Sequence, residues 1–201
     1  AQRLEAELLA IVKAQPSMAG SDLAGDVSTD DTYVVEPEGE QRFTVVAYDM
    51  GIKTNTPRNF VQRGIRTIVV PANTSYEDIM RHNPDGVFVS NGPGDPATAD
   101  EMVAVVREVL ANKVPFFGIC FGNQIFGRAL GMNTYKLKFG HRGINVPVLN
   151  HLTGTIDITS QNHGFAVSRA EAEANPNVEI THTHLNDDTV MGLRIKGKKC
   201  F

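Results

Sequence analysis

Val114-Pro115-Phe116-Phe117-Gly118-Ile119-Cys120-Phe121-Gly122-Asn123-Gln124 is the stretch whose reading decides the fold. Its apolar run, bounded by Pro115 and Gly118, has the length and composition of a buried parallel strand. Ile125, Phe126, Ala129 and Leu130 then recur at helical spacing up to Gly131, a C-cap candidate. Cys120 therefore falls on a strand-to-helix turn between two glycines. This is the pattern of a nucleophile elbow, in which a strained backbone presents the side chain and the glycines let neighbouring backbone approach. The free N–H groups and dipole of a helix N-terminus also favour thiolate over thiol. A cysteine in apolar surroundings is more often a structural residue, and it is the glycine flanks that favour the nucleophile here.

The same alternation runs upstream. Phe43 to Tyr48 reads as a strand, and Asn55 or Thr56 caps a helix with Pro57 in its first turn and Gly64 just past its end. Ile65 to Val70 is a second strand. Ser75 and Asp78 make a capping box for a short helix through Arg81, and Gly86 to Ser90 is a third strand. Thr98 to Ala111 is an amphipathic helix with Met102, Val105, Val106, Val109 and Leu110 inward. Alternating units of this kind predict an α/β fold with a doubly wound, mostly parallel sheet, whose functional residues lie beyond the carboxyl ends of the strands. Ser90-Asn91-Gly92-Pro93-Gly94-Asp95-Pro96 falls at such an end. Its plain reading is a tight turn before a helix. Functionally, such a turn can aim backbone N–H groups at a developing oxyanion, where a Cβ would block the approach, with Phe121 of the elbow as a second donor.

Downstream of Gly131 the helical pattern stops. Asn145 to Val148, Thr155 to Thr159, Val178 to His184 and Thr189 to Ile195 read as strands that add antiparallel neighbours to the sheet. Lys198 to Phe201 looks like the start of another strand. Before the compact region, Gln2 to Ala14 forms an amphipathic helix, and Gln15 to Gln41 reads as a linker or surface loop. The division expected is residues 1–41 as the tail of a preceding domain and its linker, and residues 42–201 as one domain.

Composition narrows the function. At 201 residues, 41% apolar and 21% charged, the chain can bury a sizeable core. A net charge of −4 and a pI near 5.9 argue against nucleic-acid binding. No apolar run has the length of a membrane helix and no signal-peptide core opens the chain, so a cytoplasmic protein with no membrane partner is expected. Two cysteines, Cys120 and Cys200, make neither a disulfide framework nor a zinc knuckle. His182 and His184 alternate along a strand with no third ligand nearby in sequence. They are expected to be exposed strand histidines, with no metal site. Cys200 is expected inside a strand.

Four segments together carry a resemblance: Gly118 to Gln124, Ser90 to Pro96, Lys138-Phe139-Gly140-His141-Arg142-Gly143, and Gln161-Asn162-His163-Gly164-Phe165. The chain from Arg42 to Phe201 is similar to the class I glutamine amidotransferase domain of carbamoyl-phosphate synthetase small subunits. The elbow alone would point only to the wider class I family. The resemblance implies that Cys120 attacks the glutamine carboxamide, releasing ammonia and leaving a thioester that water hydrolyses. It implies an oxyanion hole of Gly92 and Phe121, glutamine held by Gln124, Asn162, Gly164 and Phe165, and a wall shaped by Gly94. It further implies as partner a large synthetase subunit, which uses ATP and Mg to make carbamoyl phosphate for arginine and pyrimidine synthesis, with no cofactor in this chain.

Asn123 stands where many relatives have histidine, a change the fold is expected to tolerate. The family's catalytic histidine and glutamate lie in a Gln-x-His-Pro-Glu segment beyond the strand that begins near Cys200, and the 201 residues stop before it. The domain is thus expected to be incomplete at its C-terminus and impaired on its own. His163 sits in the substrate segment, His141 in a turn, and His82 and His151 at surface turns, so none is an obvious replacement base. Competing readings are a non-catalytic docking or regulatory module that keeps the fold, and a cysteine hydrolase acting on another amide.

Overall fold

The computed structural model describes residues 2–201. The central sheet contains β1 (Tyr33–Val35), β2 (Phe43–Asp49), β3 (Ile65–Pro71), β4 (Gly86–Val89) and β5 (Phe116–Gly118), in spatial order β1-β3-β2-β4-β5. All neighbours are parallel except β1, which runs antiparallel to β3. Strands buried on both faces must be apolar at successive positions, and Val46, Ala47 and Tyr48 of β2 are fully buried, as are Val69 and Val70 of β3. Side chains alternate between two layers. Ala47, Val69 and Phe88 meet Phe60 of α2 (Asn55–Val61) on one face, with Phe60 edge-on to Phe88. Val46, Tyr48, Ile68 and Val89 face the other layer, built from α3 (Tyr76–Met80), α4 (Asp100–Ala111) and α5 (Phe121–Ala129).

Helix signals in the sequence were accurate to about a turn. Ser75 accepts from the Asp78 N–H at 3.1 Å, as the capping box requires. The helix before Gly64 is capped by Thr54, without a side-chain bond, instead of by Asn55 or Thr56. The α4 helix starts at Asp100, because Pro96–Thr98 forms a separate 3-10 turn capped by the Asp95 carboxylate.

Two sequence expectations give way. The strands after Gly131 do not add to the central sheet; they form a second, antiparallel one in the order β7-β6-β8-β9. Here β6 is Thr134–Asn150, β7 Thr155–Val167, β8 Val178–His184 and β9 Val190–Ile195, with α6 (Arg169–Ala174) between β7 and β8. The Lys138 to Gly143 turn is part of β6, whose register slips between Lys136 and His141. Polar residues there hid the strand, because a two-stranded ribbon with solvated faces lacks apolar alternation. The two sheets share one core, since Val167, Val190 and Leu193 join the cluster that includes Ile125 and Phe126 of α5.

The segment read as a linker or surface loop lies mostly exposed but is tied down by hydrogen bonds. Ser21 O accepts from the Asp95 N–H at 2.8 Å, Ser28 Oγ accepts from Ala72 N–H at 2.9 Å, and Ala24 is buried. Hydrogen bonds rather than apolar periodicity hold it, which its composition concealed. By contrast α1 (Gln2–Lys13) leaves Leu4, Leu8, Ile11 and Val12 exposed. The last residues pair alongside β5: Cys200 forms an isolated parallel bridge with Phe116, and Gly118 N–H donates to Phe201 O at 2.9 Å.

Phe126 is fully buried and stacks on Phe116 with ring centroids 5.2 Å apart. Phe126→Ala is expected to cost about 3–5 kcal/mol in urea unfolding. Ile158→Ala, on the exposed face of β7, should stay within about 0.5 kcal/mol of the parent.

Candidate active site

The elbow forms because two pieces of backbone meet more closely than a side chain allows. Ile119 N–H donates to Val89 O at 3.1 Å and Gly122 N–H to Ser90 O at 3.2 Å, drawing the start of α5 onto the end of β4. A Cβ on Gly122 would lie 2.1 Å from Val89 O, and one on Gly118 would lie 2.5 Å from the Gly122 backbone. Held from both sides, Cys120 adopts φ 56° and ψ −105°, a conformation that costs a non-glycine residue about 1–3 kcal/mol.

Cys120 opens onto a cleft of about 360 Å³ between α5 and the second sheet, where Asn123, Gln124, Gln161, Asn162, His163 and Phe165 also stand. Gln124 is buried, and its amide donates to Phe165 O at 2.7 Å. Its side chain thus fixes the second sheet against the elbow. The expected group Cys120, Gln124, Asn162 and Phe165 is therefore gathered on one cleft, with Gly164 between the last two. His182 and Met191, which no motif marked, line it as well.

Gly92, Gly94, Phe121 and Gly164 are not among the residues lining the cleft. The Phe121 N–H is directed at the Cys120 thiol, while its ring is buried. Among the described residues the Gly92 N–H meets no acceptor. The reason for glycine at 92 lies in packing: a Cβ there would sit 2.2 Å from Met50 O. The two loops are locked by Ser90 Oγ, which accepts from Met50 N–H at 3.0 Å, and by Asn91, which donates to Gly51 O at 2.7 Å. Gly94, at φ +94°, makes its close approach to Ser21 and Leu23.

Electrostatics reverse one expectation. Burial pushes the Cys120 thiol above its ordinary value; the Phe121 N–H and the Lys53 charge pull it down without overcoming that. The helix terminus alone does not make a thiolate here. His163 lines the cleft, and both its ring nitrogens are engaged: Nδ1 with Phe165 O at 2.9 Å, and Nε2 with Gln161 at 3.0 Å and His141 at 3.1 Å. It is not free to take the thiol proton. His182 and His184 are not exposed strand histidines either, since His182 lines the cleft and His184 is buried against His141 and Asp187.

A family model described as glutamine amidotransferase class-I matches residues 45–201. The carbamoyl phosphate synthase small chain of Corynebacterium diphtheriae is 72% identical over 193 residues, covering 94% of this chain and 51% of that protein. That of Mycobacterium tuberculosis is 57% identical over 204 residues, covering 98% and 54%. The chain spans about half the length of these curated relatives. Among solved structures, a putative GMP synthase protein from Thermoplasma acidophilum superposes with a TM-score of 0.65 at 16% identity, covering 81% of this chain and 82% of that one. A glutamine amidotransferase from Thermotoga maritima gives 0.58 at 14% identity, covering 76% and 74%. These two likenesses establish the fold alone. Among the described residues no helix is long and apolar enough to cross a membrane.

Two outcomes follow from the geometry. Alkylation of the folded protein should modify Cys120 and spare Cys200, which is 3% exposed. The rate should climb with pH to an inflection above the ordinary thiol value, and Lys53→Met should move that inflection higher. Mass mapping that finds Cys200 labelled first would contradict this. Gly92→Ala should lose about 1–3 kcal/mol of stability, because the Met50 carbonyl has to move; an unchanged urea midpoint would show that the loops yield freely.

Proposed function

This chain belongs to the class I glutamine amidotransferase family, and on that premise we propose that it is the glutamine-hydrolysing domain of a carbamoyl phosphate synthase small chain. The observation that carries the reading is the strained Cys120 facing a cleft walled by Gln124, Asn162 and Phe165. A docking module would gain nothing from holding a cysteine at φ 56°, whereas a nucleophile needs that presentation.

In this reading glutamine enters the cleft with its amino-acid end toward Asn162, Gly164 and Phe165. The Cys120 sulfur, once deprotonated, attacks the carboxamide carbon, and the negative charge passes to the carboxamide oxygen. The Phe121 and Gly92 N–H groups stabilise that oxyanion. Its collapse expels the nitrogen, which takes up a proton and leaves as ammonia, and the acyl group stays on sulfur as a thioester. Water then adds to the thioester carbon, releasing glutamate and restoring the thiol. Each turnover converts glutamine and water to glutamate and ammonia.

Because burial keeps the thiol protonated, the first step requires a base. We place it in the histidine and glutamate segment implied by the family resemblance. Residues 199–201 pair in parallel with β5. The partner is the large synthetase chain, which receives the ammonia and supplies the ATP and Mg chemistry, in the cytoplasm; no cofactor is assigned to this chain.

The test uses the full-length small chain assembled with its large chain. Cys120→Ala should abolish carbamoyl phosphate synthesis from glutamine and leave synthesis from free ammonia intact. Equal loss with both nitrogen sources would assign Cys120 to the assembly instead of to hydrolysis. The 201-residue stretch alone should release ammonia from glutamine about 100- to 10000-fold more slowly than the full-length chain. Equal steady rates would place the base within these residues.

A further inference from the structure

Next to His163, which lines the cleft, His141, His184 and Asp187 bring three ligand atoms within 4.8 Å of one another. We propose that these residues bind one divalent transition-metal ion of the zinc type. The cluster is assembled from the β6 bulge and the β8–β9 turn, so no sequence spacing announces it. At the bulge Gly140 takes φ +74°, and a Cβ there would lie 2.4 Å from His163 O. The bulge thereby presses β6 onto β7 and aims His141 at His163.

Hydrogen-bond accounting calls for a cation at this point. Phe165 O can only accept, so His163 Nδ1, 2.9 Å away, carries a proton, while Nε2 meets both Gln161 Oε1 at 3.0 Å and His141 Nδ1 at 3.1 Å. One proton must therefore lie between the facing nitrogens His163 Nε2 and His141 Nδ1. The Asp187 carboxylate accepts as well, 2.8 Å from His141 Nε2. The two rings are thus asked for three protons where two neutral imidazoles carry two. An additional proton satisfies this, and so does a metal ion on His141 Nε2, which frees that ring's proton for Nδ1 and its contact with His163, in the manner of a ligand's outer partner.

The remaining geometry suits the ion. His184 Nδ1 lies 3.2 Å from Asp187 Oδ1, and the ring stacks on His141 with centroids 4.0 Å apart and planes 12° from parallel. The Asn186 N–H now donates to His184 Nδ1 at 3.2 Å, and the ion replaces that bond in an exposed turn. Thr189 N–H holds Asp187 Oδ1 at 3.1 Å. The side chains of His141 and His184 are 11% and 7% exposed and that of Asp187 45%, leaving a fourth position open to water on the carboxylate side. Two imidazole nitrogens with one carboxylate oxygen select Zn²⁺ or Co²⁺ over Mg²⁺ or Ca²⁺, which take oxygen ligands.

The experiment is done on the full-length protein carrying Cys120→Ser, which removes a competing thiolate. Zn²⁺ is titrated by calorimetry and Co²⁺ by its visible absorption, with thermal unfolding at each step. One equivalent is expected to bind and to raise Tm. Asp187→Asn keeps the carboxamide shape and His184→Phe keeps the stacked ring, so both should fold, and each should weaken binding about 100-fold or more and abolish the rise in Tm. His151→Ala and His182→Ala should bind as the parent does. Absence of saturable binding, binding that survives both Asp187→Asn and His184→Phe, or binding lost with His182→Ala would each overturn the assignment, the last by moving the ion into the cleft.

Discussion

The approach of Gly122 to the Val89 carbonyl is the constraint on which the site depends. Every other feature of the elbow follows from allowing a helix to begin directly over the end of a central parallel strand. Ile119 and Gly122 surrender their N–H groups to β4 and the residue after it, Cys120 is forced to positive φ, and the thiol faces outward over the sheet's carboxyl edge. The strain is tolerable because β4 is buried between two layers and cannot recede. Remove the neighbouring strand and the same residues would relax into an ordinary turn.

From that fixed point the structure grows through α5. Ile125 and Phe126 anchor it to the central core, and Gln124, one residue earlier, commits its amide to Phe165. A buried amide with a carbonyl partner is both a constraint and a penalty avoided, since the unpaired carbonyl would be destabilising at this depth. The second sheet is thereby registered against the nucleophile by one helix, and the cleft is the gap that remains between them.

How much of this was legible in the sequence varies with the physics of each part. The parallel sheet announces itself because doubly buried strands must be apolar throughout, and the elbow because only glycine permits the backbone contact. Gly92 was legible as an obligatory glycine, but its reason was not, since Met50 lies on a loop distant in sequence. The β6–β7 ribbon was mostly invisible, being polar on solvated faces and slipped in register at Gly140. His184 looked paired only with His182 along its strand, because Asp187 lies across a turn and His141 on another hairpin. The direction of the Cys120 shift was missed as well: proximity to a helix start is a sequence property, whereas burial is a property of the assembled fold.

That burial has a consequence for the lifetime of the chain. A thiol whose folded pKa stands above its unfolded value favours the native state at neutral pH, and this contribution fades only as pH rises through the folded value. Oxidation to the sulfenic acid proceeds through the thiolate. Burial raises Cys200 too, so folding lowers the ionised fraction of both cysteines together. Among these residues the assembled fold therefore holds both sulfurs in the form less open to oxidation, and the strained turn presents Cys120 without making it a standing thiolate.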